Sequence, residues 1–240
     1  PLSSRFEEMD AVVIFDNVLV PWERLFMYRE PLLCNQAFSK TNAVIHMMHQ
    51  VACSKLAKSE FMVGLMSCIA SASGKDKDIS VKNLISEVMM MTETIRALLY
   101  TSESKSHQDE WGHYIPLRKP IDTCRNLFPK MYPRMLEILQ LLGASNLMAT
   151  PSDIDFKNEL KDDVEKYFQL SNVNARKRVG LFRLAHDVCI SGFGNRQALY
   201  ERFFFGDPVR MKHALYGVYD RTEYVDRVQK FVANDSWPEA

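Results

Sequence analysis

The chain has 240 residues, 47% of them hydrophobic and 25% charged, which is ordinary for a soluble globular protein of one or two domains. Thirty basic residues balance thirty acidic ones, so no net field recruits nucleic acid or an anionic membrane surface. The densest apolar run, Phe61 to Ala72, carries Ser67 and Ser71 and falls short of the roughly 20 residues a membrane-spanning helix needs.

The sequence opens on Pro1, with no leader-like basic and apolar region, and reads as the continuation of a longer chain. Residues 10–15 (D-A-V-V-I-F) and 18–20 (V-L-V) are β-branched runs broken at Asp16 and Asn17 and stopped by Pro21. They predict one or two strands that complete a sheet supplied by residues before Pro1. After Pro31 the pattern turns helical. From about Asn42 to Ala72 apolar residues run nearly all round, as in a buried bundle helix, and also leave apolar surface for self-association. A polar turn follows at 74–78, and Ser80 is placed to cap the next helix. Val81, Leu84, Ile85, Val88, Thr92, Ile95 and Leu99 then mark one face at steps of three and four. Residues 107–120 read as a loop, 129–142 as a helix closed by Gly143, and 152–170 as another. Residues 173–191 are amphipathic up to a break at Gly192 and Gly194, and a last helix spans about 207–232. The division is 1–28 for the end of a β domain and linker, and 29–240 for a helical bundle.

Chemistry is sparse. There is no G-x-S-x-G, Walker loop or H-E-x-x-H. G-F-G at 192–194 lacks both the preceding strand and the third glycine of a dinucleotide fingerprint, since Gln197 stands there. It reads first as a helix break, and second as a place where a ligand nears the backbone beside Arg196. Gln140 to Asn146 ends a helix and reads first as a glycine cap. His46, His49 and Cys53 share a helix at metal-ligand spacing, but no carboxylate adjoins them in sequence. A half-buried histidine beside a thiol is the commoner arrangement, so no metal is expected. His186 and Asp187 could exchange protons, or simply face solvent. The five cysteines are scattered without a C-x-x-C pair, as in a reducing, cytoplasmic compartment.

Three stretches go further. F-D-N-V-L-V-P-W-E-R at 15–24, L-Q-L-L-G-A-S-N-L-M at 139–148 with T-P-S at 150–152, and L-F-R-L-A-H-D at 181–187 with G-F-G-N-R-Q-A-L-Y-E-R at 192–202 and G-D-P at 206–208 resemble, in order and spacing, the C-terminal part of the 4-hydroxyphenylacetate 3-monooxygenase (oxygenase component) family. The resemblance implies an acyl-CoA dehydrogenase-like four-helix bundle with extra C-terminal helices and a short N-terminal β segment, usually in a homotetramer. It implies FAD, supplied as FADH2 by a separate reductase, and ortho-hydroxylation of a small phenol, with neither nucleic acid nor membrane as partner. Gln140, Gly143, Ala144, Ser145 and Asn146 would then meet the adenosine or pyrophosphate end of a flavin held largely by a neighbouring subunit. Gly192, Phe193, Gly194 and Arg196 would lie toward the flavin. The phenol-binding residues would belong mainly to the family's N-terminal domain, so this chain alone is expected to be inactive. Two departures from the family pattern bear on the substrate: His186 stands where Trp is frequent, and Ser191 to Asn195 replaces the expected Gly-Ser-x-Phe-Gly order. A 4-hydroxybutyryl-CoA dehydratase-like enzyme with an iron–sulfur cluster shares the V-P-W-E region and takes a His and a Cys seven apart. One register sets Met47 and Ser54 there, and the register shifted by one sets His46 and Cys53. A stand-alone helical interaction module is the third reading.

Overall fold

The computed structural model describes Leu2, Arg5 and residues 11–233. Within them, helix α1 (Pro31–Lys40) leads into α2 (Ala43–Ala72) and α3 (Ile79–Ser104). A two-stranded hairpin, β1 (His107–Gln108) and β2 (Tyr114–Ile115), precedes α4 (Arg118–Gly143). Then come α5 (Lys161–Tyr167), α6 (Ala175–Cys189), α7 (Gly192–Phe203), α8 (Pro208–Val218) and α9 (Thr222–Ala233).

The bundle is α2, α3 and α4 in mutual contact, closed on the fourth side by α6 and α7. The chain reverses after α2 because Gly74 takes φ +66° and lets the Lys75 N–H return to the Ala70 carbonyl at 2.9 Å. The cap of α3 differs from expectation. Asp78 accepts from the Ser80 N–H at 2.8 Å, so the carboxylate caps and Ser80 sits inside the helix. The predicted face of α3 is the buried one, with Val81, Ile85, Val88, Thr92, Ile95 and Leu99 all in the interior. They meet Met62, Met66 and Ile69 of α2 and Phe128, Met135 and Leu139 of α4 in one continuous core.

Residues 11–20 run extended and exposed, with Val12 at 92% and Ile14 at 82%, and no described residue offers them a ladder partner; Asp10 lies outside the described residues. Three expectations are corrected. The expected loop at 107–120 instead holds the hairpin and the start of α4, which begins eleven residues before Pro129 and runs through Pro129 and Pro133. Its early start is fixed by Ser102, whose carbonyl and hydroxyl both bond to Leu117, at 2.9 and 2.7 Å. Residues 152–170 break into a single 3-10 turn at Ile154–Phe156 and the short α5. Lastly, 207–232 is two helices, parted around Tyr219 to Arg221.

No helix among the described residues is long and apolar enough to cross a membrane.

Candidate functional site

The two segments singled out in the sequence sit at the ends of helices. At 192–196 there is no open turn: Ser191 caps α7 by accepting from the Gly194 N–H at 3.2 Å, and both glycines lie in the first helical turn. A Cβ on Gly194 would lie 2.5 Å from the Val188 carbonyl oxygen and 2.8 Å from that of Asp187. The space a side chain would need is filled by the end of α6, so this glycine serves the packing of one helix start on another helix end. Gly192 has open space around it. Arg196 is half-buried and engaged in an interaction of its own. The Asp187 carboxylate accepts from the Leu2 N–H at 2.9 Å, which argues for anchoring the N-terminal segment over proton exchange with His186.

At 140–146 the expected glycine cap is also changed. Gly143 keeps ordinary helical angles, and Ala144 takes the strained φ of +46°. The missing Gly143 side chain makes room for Leu147, whose side chain would approach a Cβ to 2.5 Å. Gln140 donates to the Cys189 carbonyl at 2.9 Å, tying the end of α4 to the end of α6 beside the start of α7. Ser145 and Ala144 are exposed, and the Asn146 side chain accepts from the Arg178 guanidinium at 2.8 Å. Arg178 donates also to the Phe168 carbonyl at 3.2 Å. Lys75, Ala144, Asn146, Leu170, Arg178 and Phe182 share a cavity of about 390 Å³. Two cations and a side-chain amide, against the single carboxylate of Asp78, leave this hollow net positive, which suits an anionic group.

A second cavity, about 430 Å³, lies beside the start of α7 among Ser54, Lys58, Phe61, Tyr132, Phe193 and Gln197. Through Lys58 it adjoins a buried charged group. Glu201 is buried, with both Lys55 and Lys58 paired to its carboxylate, and Lys58 donates to Gln197 at 3.2 Å. Lys55 is 3% exposed and stacked between aromatic faces, 5.3 Å from the Phe128 ring centre and 5.4 Å from that of Tyr200. Burial lowers its pKa and Glu201 pulls it back up. Burial, reinforced by the Glu201 charge, raises that of Tyr132. Lys55, Lys58, Tyr132, Gln197 and Glu201 were invisible as a group in the sequence, because they come from α2, α4 and α7. The α2 pair Lys55 and Lys58 is spaced to face one side, which is the signal that was available.

His49 has the carboxylate that its sequence neighbourhood lacked: Glu103, at the end of α3, lies 2.8 Å from its Nε2. His46 stands apart and exposed.

A profile described as 4-hydroxyphenylacetate 3-hydroxylase C terminal matches residues 34–233, and one described as the N terminal of the same enzyme matches residues 1–27. The 4-hydroxyphenylacetate 3-monooxygenase oxygenase component of Thermus thermophilus is 47% identical over 97% of the chain, and that of a Geobacillus species is 44% identical over 97%. The chain spans about half the length of these relatives, 48% and 47%. A crystal structure of such an oxygenase component complexed with FAD superposes with a TM-score of 0.91 at 46% identity, over 97% of this chain and 49% of that one. A 4-hydroxybutyryl-CoA dehydratase from N. maritimus superposes at 0.78 with 19% identity, which places the bundle in the acyl-CoA dehydrogenase-like fold and carries nothing further. With profile, sequence and fold agreeing over nearly all its length, the chain belongs to the 4-hydroxyphenylacetate 3-hydroxylase family.

Proposed function

We propose that this chain is the C-terminal, flavin-facing part of the oxygenase component of a two-component monooxygenase. It acts in the cytoplasm on a small phenol such as 4-hydroxyphenylacetate, with FADH2 delivered by a separate reductase. The observation that carries the reading is the 97% coverage by an FAD-complexed oxygenase component. Residues 1–28 are taken as the end of a β domain and 29–240 as the helical domain.

The chain's own residues fit the cofactor. Arg178 and Lys75, at one cavity with Asn146 and the exposed Ala144 backbone, supply the cations and hydrogen-bonding groups that a pyrophosphate needs. Phe193 and Phe61 wall the second cavity with apolar surface beside the Lys58 ammonium. Reduced flavin supplies the activation of O2. The protein's task is to hold and enclose it. No residue of this chain is assigned to the chemistry on the phenol.

The test is turnover. Full-length protein with reductase should convert 4-hydroxyphenylacetate to the ortho-diol, detected by chromatography, while the 240-residue chain alone should not. Oxidation of FADH2 by full-length protein without any hydroxylated phenol would overturn the reading. Iron and sulfide in that protein would move it to the dehydratase-like alternative.

A further inference from the structure

We propose that His49, Cys53 and Glu103 form a binding site for one divalent transition-metal ion of the zinc type. The three donor atoms come from two helices and lie within 4.8 Å of one another. Nε2 of His49 is 2.8 Å from Oε1 of Glu103 and 4.0 Å from Sγ of Cys53. Around a tetrahedral zinc ion, bonds of roughly 2.0–2.3 Å place neighbouring donors roughly 3.3–3.7 Å apart. Shifts of about half an ångström for these two pairs, and up to about 1.2 Å between Cys53 and Glu103, within the reach of side-chain torsions, would seat the ion.

The framework is set by the core and not by the ion. His49 and Cys53 are one helical turn apart on α2, each beside buried residues such as Met48 and Ala52. Glu103 ends α3 next to Ser102, which is buried and bonded to Leu117. The donors therefore face each other whether or not metal is present, unlike a site that must fold around its ion. A carboxylate and a thiolate together balance a dication. A sulfur donor favours zinc-type ions over magnesium or calcium. Three protein donors leave the fourth position open, and the partly exposed Glu103 gives water access to it.

Binding breaks the Cys53 S–H bond and forms the sulfur–metal bond, with the proton released to solvent. Neutral His49 gives its Nε2 lone pair, and Glu103 exchanges its hydrogen bond for coordination. No electron changes hands. The site is separate from both cavities described above, so it stands or falls independently of the flavin reading.

The test is cobalt titration of the reduced full chain. The expected result is one equivalent bound, with a thiolate-to-cobalt charge-transfer band and the intense visible bands of four-coordination, both displaced by Zn2+. Cys53→Ser should abolish the charge-transfer band. Glu103→Gln should weaken binding about tenfold or more, since even supporting residues around metal sites carry that much. His46→Ala should leave affinity unchanged. The metal-free variants are checked for unaltered circular dichroism and melting midpoint, which separates loss of a ligand from loss of fold. Absence of a saturable band would overturn the proposal. So would a band that survives Cys53→Ser, which would assign it to Cys34 or Cys68, or sensitivity to His46→Ala in place of Glu103→Gln.

Discussion

A methyl group on Gly194 would sit 2.5 Å from a backbone carbonyl oxygen, and backbone moves aside less easily than a side chain. Gly194→Ala is therefore expected to cost about 1–3 kcal/mol by overpacking, whereas Gly192→Ala, with open space, should stay within about 0.5 kcal/mol. Urea midpoints of the two variants decide it, and equal midpoints would show that the α6–α7 contact yields freely. The arginines divide along similar lines. Arg178 is held by Asn146 and Phe168 at the first cavity, and Arg196 lies one turn into α7. If Arg196 grips flavin through one charged hydrogen bond, Arg196→Ala in full-length protein should lose about 1.5–3 kcal/mol, roughly tenfold or more in reduced-FAD affinity. Unchanged affinity with altered assembly would give Arg196 an intersubunit role and leave Arg178 as the cation for the cofactor.

Among helices, the tie between α2 and α7 is the buried Lys55–Glu201–Lys58 group. Removing one member strands a charge in the interior, so Glu201→Leu should destabilise by about 3–5 kcal/mol, while adding Lys55→Met should recover much of that loss. Guanidinium unfolding of the single and double variants measures both, and a double variant no better than the single would show that the pair is not the unit. The same interior holds Cys124, whose thiol burial pushes up to about 11 from 9.0. The folded state then binds the proton more tightly than the unfolded one, so this contribution is whole below about pH 9 and lost as pH rises toward 11. The stability difference between the unsubstituted chain and Cys124→Ala should shrink across that window by up to about 1.4 kcal/mol per pH unit, and a flat difference would sink the assignment. How much of this was legible in the sequence follows from its range. The face of α3 was readable because its period of 3.6 is local, as was the turn at Gly74. The break of 152–170 was not, and neither was the continuation of α4 through Pro129 and Pro133, where packing of Phe128 and Tyr132 outweighs the lost backbone bonds. The Glu201 group and the Glu103 partner of His49 needed contacts across 143 and 54 residues, which no spacing rule reaches. Family resemblance supplied the flavin expectation, and the glycine pattern could not show that the space beside Gly143 and Gly194 is filled by the chain itself.

On the scale of the molecule, the sequence pointed to the long helix α2 for self-association, but its core side is largely consumed within the bundle. Exposed apolar surface gathers elsewhere. α1, α8 and α9 have no buried residue at all. Along α9 the positions Tyr224, Val225, Val228, Phe231 and Val232 repeat at helical spacing, with Val228 at 63% and Phe231 at 68% exposure. A helix of that pattern gains most of its stability from covering its apolar stripe. Patches of this kind mark interfaces. The full-length protein is therefore expected to sediment as an oligomer, with a tetramer as the family expectation, and Val228→Asp with Phe231→Asp should shift it to smaller species. A clean monomer at tens of micromolar before any substitution would remove the argument. If the flavin also spans two subunits at 140–146, cofactor and assembly are linked. Saturating reduced FAD should then lower the protein concentration at which the oligomer half-dissociates, and the dissociating variant should bind FAD more weakly, because coupling between two binding equilibria is reciprocal. Sedimentation indifferent to FAD, with unchanged affinity in the dissociated protein, would confine the cofactor to one subunit and leave the α9 stripe to assembly alone.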